Sequence, residues 1–338
     1  MTLSWNRTVW ISGELLASGA CCSIMSAGAT FAESSVKPLR LPGPVSQWLD
    51  RLSSGLMRPP GMEMDFALPP GEPALAAPGS VSWRVFKNPV AMFIGGVAAV
   101  ILELAEPRVR DGVWQHSTFR RDPMSRLQRT GLAAMVTVYG AHSTAEAMIS
   151  GVVRAHARVA GTTNEGLPYE ANDPELLLWV QATATFGFLS AYDRFVHRLG
   201  DGDMERGIAE AAPSARLYGV EHPPFSEEEL GAIFERMDPH LVATPVIHEF
   251  LRIMGEVEAL PKPLRLLQRI MLKAGVSLLP PPLVERLGLT QDWQLWGWER
   301  ALVTTVARVA DRLVLPSAPS VQACRRLGLP PDWLYRRR

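Results

Sequence analysis

Residues 122–160, DPMSRLQRTGLAAMVTVYGAHSTAEAMISGVVRAHARVA, read as two helices in succession, and that reading decides the fold. The first spans Asp122-Pro123 to Tyr139. An aspartate can accept from the free N–H groups of an opening turn, proline suits the first helical position, and Gly140 ends the run. The second spans Ser143 to Ala160, with Ser143 or Thr144 as its cap, Glu146 in its first turn and Gly161 as its stop. On this second helix Met148/Ile149, Val152/Val153, His156 and Val159/Ala160 recur every three or four residues. They form one apolar stripe.

The same punctuation continues outward in both directions. Asn88-Pro89 opens a helix that reaches Glu106 and stops before Pro107. Asp173-Pro174 opens another through Leu189, and a further helical pattern covers Tyr192–Arg198. Ser226, followed by three glutamates, starts a helix in the manner of a capping box. More helices follow through 241–314, broken by Pro261, Pro263 and Pro280–Pro282. No strand pattern alternates with these helices, no Asn-Gly hairpin occurs and no repeat is present. The expectation is an all-α fold, one globin-like multi-helix domain over residues 81–338. Ahead of it, residues 1–80 read as an irregular arm, with Pro and Gly crowded into 42–79 and one short helix near Val45–Leu52.

Composition narrows the partners. The chain has 34 basic and 34 acidic residues, so no net charge draws it to nucleic acid or to an anionic membrane. The apolar stretch 90–102 has 13 residues, short of the roughly 20 that a spanning helix needs, so no transmembrane helix is expected there. Residues 9–32 resemble a weak signal sequence, but Glu14 interrupts the apolar run; a cytoplasmic location is expected, with export left open. The three cysteines, Cys21, Cys22 and Cys324, make no CxxC or CxxCH. That excludes a zinc ribbon and covalently attached haem, and fits free thiols in a reducing compartment. Gly95-Gly96 lacks the spacing of a dinucleotide loop, Arg206 stands where a calcium loop needs glycine, His248-Glu249 lacks a second histidine, and no GxSxG exists.

What remains is a small constellation. His156 lies in the apolar stripe between Arg154 and Arg158. A neutral imidazole in a dry wall suits an axial iron ligand, and it equally suits a buried histidine bonded to a backbone carbonyl. Arg126, Arg129, Thr130 and Ala133 stack at i, i+3, i+4 and i+7 on the preceding helix. Two guanidiniums and a hydroxyl could hold an anion, a propionate or bound dioxygen, or form a solvated basic face. Residues 166–180, GLPYEANDPELLLWV, read as a loop docked by Tyr169 and a helix start capped by Asp173, fixing the segment that follows His156.

These blocks together resemble a known family. Residues 111–130, DGVWQHSTFRRDPMSRLQRT, are similar to its "GV…HS.F..DP..RL.RT" block; 153–159, VRAHARV, to its histidine helix; and 169–180, YEANDPELLLWV, to its "Y.A.DP.LL.WV" block. The family is that of the mycophenolic-acid oxygenase MpaB and the bacterial latex-clearing proteins, and the resemblance spans about 85–300. It implies an all-helical oxygenase that binds haem b non-covalently and uses dioxygen on an apolar, isoprenoid alkene substrate. His156 would be the iron ligand, and Arg126, Arg129 and Thr130 would be catalytic and cofactor-binding residues. The rubber enzymes carry lysine where Arg129 stands. Since a guanidinium does not deprotonate, water or an open position is expected in place of a lysine-capped iron. The family's catalytic carboxylate falls on Glu106 or Glu103, which could equally be helix-end charges. His116 would bond a propionate or pack within its block. The alternative is a helical protein that holds haem or a lipid without turnover; the electron donor stays open.

Overall fold

A computed structural model describes residues 37–55, 58–200 and 202–336. The signal-like stretch 9–32, with Cys21 and Cys22, lies outside them. The helices in chain order are α1 (Gly43–Gly55), α2 (Val81–Phe86), α3 (Pro89–Ala105), α4 (Pro107–His116), α5 (Pro123–Tyr139) and α6 (His142–His156). Next come α7 (Pro174–Phe195), α8 (Asp203–Glu210), α9 (Ala212–Tyr218), α10 (Glu227–Met237) and α11 (Pro245–Glu256). Last are α12 (Arg265–Val276), α13 (Pro281–Arg286), α14 (Gly297–Ala310) and α15 (Pro319–Arg326). The fold is mostly helical, as expected.

The starts read at Asn88-Pro89, Asp122-Pro123 and Asp173-Pro174 are present, and two that were not read, at Glu106-Pro107 and Thr244-Pro245, work the same way. Asn88, Glu106, Asp122, Asp173 and Thr244 each stand directly ahead of a first-turn proline, and each side chain accepts from a backbone N–H of the helix it opens. Asn88 does more, because its Nδ2 donates to Ala307 O at 2.9 Å and Asp311 Oδ1 at 3.2 Å, which pins α3 to the end of α14. The helix expected near Val45–Leu52 is α1, and the two patterns 174–189 and 192–198 merge into the single α7, ending at Phe195.

Two expectations are corrected. The helix expected over Ser143–Ala160 runs from His142 to His156, and Val159 and Ala160 lie beyond it. Strand structure does occur: β1 (Ala160–Thr162) pairs antiparallel with β2 (Pro168–Glu170), with Gly161 opposite Tyr169. Gly161 is therefore no helix stop. A Cβ there would lie 2.6 Å from the Tyr169 hydroxyl, so the glycine makes room for that buried ring. The ring in turn meets His116, whose Nε2 is 3.0 Å from the hydroxyl. His116 thus packs on the 169–180 block.

The main core surrounds α3 and α7, which cross where glycine meets glycine. A Cβ on Gly95 would lie 2.6 Å from Gly187 O, and one on Gly187 would lie 2.3 Å from Gly95 O. Around this pair gather Trp179, Phe186, Leu230, Phe234, Leu251 and Leu272, all buried. A second core joins α5 to α2 and α15 through Trp83, Tyr139, Leu132 and Cys324, the last a buried free thiol. Phe66, from the segment expected to be irregular, is buried in it. Among the described residues no single helix is long and apolar enough to cross a membrane.

Candidate functional site

Between Val90 and Ala105 every residue of α3 is buried except Met92, Phe93, Gly96, Val100 and Glu103. Their spacing places them on one face, an uncovered stripe that is apolar up to Glu103. On α7, from Trp179 to Tyr192, the residues left partly open are Val180, Gln181, Ala184 and Phe188, again one face. The two stripes adjoin, for a Cβ on Gly96 would meet the Phe188 ring at 3.9 Å. Opposite stand α5 and α6. They pack on one another, but neither packs face to face on α3 or α7. On α6 only Ala145 and Ile149 are buried, while Met148, Val152, Val153 and His156 stay half-buried. We read the space that these faces bound as a slot with apolar walls. Helix α2 lies at its Phe188 end, where Phe86 and Phe188 meet at 4.9 Å; α9 packs on both α6 and α7, and its Tyr218 OH lies 3.3 Å from Thr137 Oγ1 of α5.

Three charged or titratable side chains converge on this space from three helices. Burial pushes the Glu103 carboxyl up to about 7, against the opposing pull of a Thr183 hydrogen bond and the Arg126 charge. His156 is held below the usual histidine range, first by burial and then by the same guanidinium. Arg126 thus acts on both. Among the described residues it makes no ion pair; its Nη1 donates to Thr130 Oγ1 at 3.2 Å, and burial lowers its own pKa. A charge this poorly neutralised beside an apolar slot is suited to an anion.

His156 closes α6, and the residues after it are tied down. Asn172 Nδ2 donates to Val153 O at 3.2 Å, and Ala171 N to Val159 O at 2.9 Å. The block 166–180 therefore fixes the end of the histidine helix, the role expected of it. The ring's Nδ1 is shielded from water with no hydrogen-bond partner among the described residues. The alternative of a histidine bonded to a backbone carbonyl is not what Nδ1 does.

The other candidates fall into place unevenly. Arg129 and Thr130 continue the Arg126 face but are exposed. Glu106 is buried, and both its oxygens are engaged: Oε1 with Arg108 Nε at 2.7 Å, and Oε2 with Val109 N at 2.8 Å. It serves as the cap of α4 and stands apart from the group that Glu103 joins. Thr183 and Tyr218 were not singled out by the sequence. Polar residues inside an otherwise apolar helix were the available signal for Thr183; nothing local marked Tyr218.

Residues 83–313, well over half of the chain, match the family described as "ER-bound oxygenase mpaB/B'/Rubber oxygenase, catalytic domain". Two mycobacterial proteins are similar: Uncharacterized protein Mb2261 of Mycobacterium bovis and Uncharacterized protein Rv2237 of Mycobacterium tuberculosis. Each is 27% identical over 226 residues, covering 64% of this chain and 88% of the relative. No solved structure matches. With its helical fold and three ordered sequence blocks, the chain belongs to the mpaB/rubber oxygenase family and carries that family's oxygenase catalytic domain at residues 83–313.

Proposed function

We propose that this oxygenase depends on haem b, that the slot between the α3–α7 and α5–α6 pairs holds it, and that its substrate is an apolar alkene. The observation that carries the reading is the convergence of a neutral imidazole with an unpartnered ring nitrogen, a guanidinium that makes no ion pair among the described residues, and apolar stripes left half-buried. Among the described residues no three His, Cys, Asp or Glu side chains gather as in a protein-only metal cage. His156 would then be the protein's ligand to an iron whose remaining donors are supplied by the porphyrin.

When bound, haem supplies the one-electron chemistry that lets dioxygen react with a closed-shell organic substrate. The chain supplies the rest. His156 is kept unprotonated, so its lone pair is available to a metal. Arg126, extended by Arg129 and Thr130, offers fixed donors to a propionate or to negative charge developing on oxygen. Half-buried Met92, Phe93, Val100 and Phe188 exclude water and favour a hydrocarbon. Glu103, titrating near neutrality, is the base suited to take a proton from the carbon next to a double bond. The C–H bond would break with its proton going to the carboxylate and its electron pair staying in the allylic system that dioxygen oxidises, and Glu106, fully engaged as a cap, stays a spectator.

Replacing His156 by alanine is the direct test. The H156A protein, purified from haem-supplied cells, is expected to lose its haem and its Soret absorption. Full haem content with an unchanged spectrum overturns the assignment. Oxygen uptake with an isoprenoid alkene separates an enzyme from a haem or lipid carrier, the latter leaving oxygen unconsumed.

A further inference from the structure

The hydroxyl of Thr183 sits against Glu103 in a fully buried position on α7. Its Oγ1 is 3.3 Å from Glu103 Oε1 and 2.9 Å from the carbonyl oxygen of Val180, three residues earlier on the same helix. A hydroxyl carries one proton and can accept on its lone pairs, so it donates to only one of these oxygens at a time. When Glu103 is a carboxylate, the Thr183 O–H donates to it. When Glu103 is protonated, the carboxyl O–H donates to Thr183 Oγ1, and the threonine proton turns to Val180 O. Rotation about one C–O bond therefore satisfies both protonation states without moving a heavy atom. A valine in its place would satisfy neither.

The fold sets this pairing through the glycine crossing. Helices α3 and α7 run antiparallel, since Gly95 meets Gly187 while Glu103 meets Thr183. At 1.5 Å per residue, Glu103 lies about 12 Å along α3 from the crossing and Thr183 about 6 Å along α7. Helical side chains lean toward their own N-terminus, which tips Glu103 back toward the crossing and Thr183 outward to meet it. The charged group facing Glu103 across the slot is Arg126 of α5. Helix α7 presents only neutral residues from Leu176 to Tyr192, and Glu106 and Arg108 at the start of α4 are paired with each other.

We propose that Thr183 is the positioning residue of Glu103: its hydroxyl holds the carboxyl at the slot wall in both protonation states and favours the charged one. Its purpose rests on the oxygenase reading, but its test does not. A hydrogen bond to an ionised acceptor is worth more than one to a neutral group, so its removal should disfavour the carboxylate.

The test is an infrared titration of the carboxyl band of protein as purified, with E103Q identifying the Glu103 signal. In T183V the midpoint is expected to rise by about one pH unit, a roughly tenfold gain in proton affinity. T183S, which keeps the hydroxyl, should stay close to the parent. A T183V midpoint equal to the parent's overturns the proposal. So does a T183S midpoint displaced as far as that of T183V, since lost packing would then be the cause. If T183V does not fold, T183A replaces it with the same expectation. None of these outcomes depends on haem retention by His156, so failure here is distinct from failure of the oxygenase reading.

Discussion

Glu103 is a carboxyl that folding makes harder to ionise. Its pKa rises from 4.5 in the open chain to about 7 in the fold. The unfolded state therefore gives up this proton first, and the stability tied to the group is full below pH 4.5 and lost as pH climbs through 7. At 1.36 kcal/mol per unit, the loss is on the order of 3 kcal/mol. E103Q cannot titrate, so it should gain on the parent as pH rises from 5 to 8 in thermal melts. A constant difference across that range would show that Glu103 does not ionise in a buried setting. The same titration predicts oxygenase turnover that rises with pH through about 7, because the base must be unprotonated; a pH-flat rate would remove Glu103 from the chemistry. The sequence reading named Glu103 as a candidate but put Glu106 first, yet it held the means to part them. Glu106 stands directly ahead of Pro107, as Asn88, Asp122 and Asp173 stand ahead of their prolines, and that position is a cap. Extending one rule to a fourth case would have given Glu106 a capping role. That Glu103 lies against the buried Thr183 could not be read locally, because it depends on how two distant helices cross.

The crossing of α3 and α7 is the element on which the slot is built. Each glycine occupies a position where a Cβ would press into the other helix's backbone, not a side chain that could swing away. Gly187→Ala should therefore force the helices apart and cost about 1–3 kcal/mol by overpacking, more if the pair cannot shift. Gly166→Ala makes a useful contrast: nothing lies near it, but its φ of +85° is strained for alanine, so its cost is local to the hairpin. The check is denaturant unfolding combined with haem content; G187A should lose both stability and haem, and G166A stability alone. If G187A melts with the parent, the glycine contact does not set the helix spacing. Helix starts were legible because proline and a short polar cap are local signals. The β1–β2 hairpin was not, because three-residue strands are too short for a two-residue period and the pairing is imposed by the buried Tyr169 ring. The end of α6 was missed for the same reason: Val159 and Ala160 continue the apolar spacing, but Val159 accepts from Ala171 N ahead of β1 and Ala160 opens that strand.

At the scale of the whole molecule, the question is why a chain with two well-formed cores leaves apolar faces uncovered between them. One core is built on α3 and α7 and the other on α5, α2 and α15, and the slot separates their facing helices. The apolar stripes on α3, α6 and α7 stay half-buried, so a ligand that fills the slot should join the two cores and be felt in global stability. A group that binds only the folded chain adds about 2.7 kcal/mol at a hundredfold excess over its Kd. At roughly 2–4 °C per kcal/mol for a domain of this size, haem should raise Tm by about 5–10 °C. Calorimetry of apo and haem-loaded protein, at matched protein concentration, measures this directly. The rise should vanish in H156A at the same haem supply, since the chain then has no ligand for the iron. A parent protein whose apo and haem-loaded forms melt together would mean that haem sits at the surface and leaves the slot unfilled.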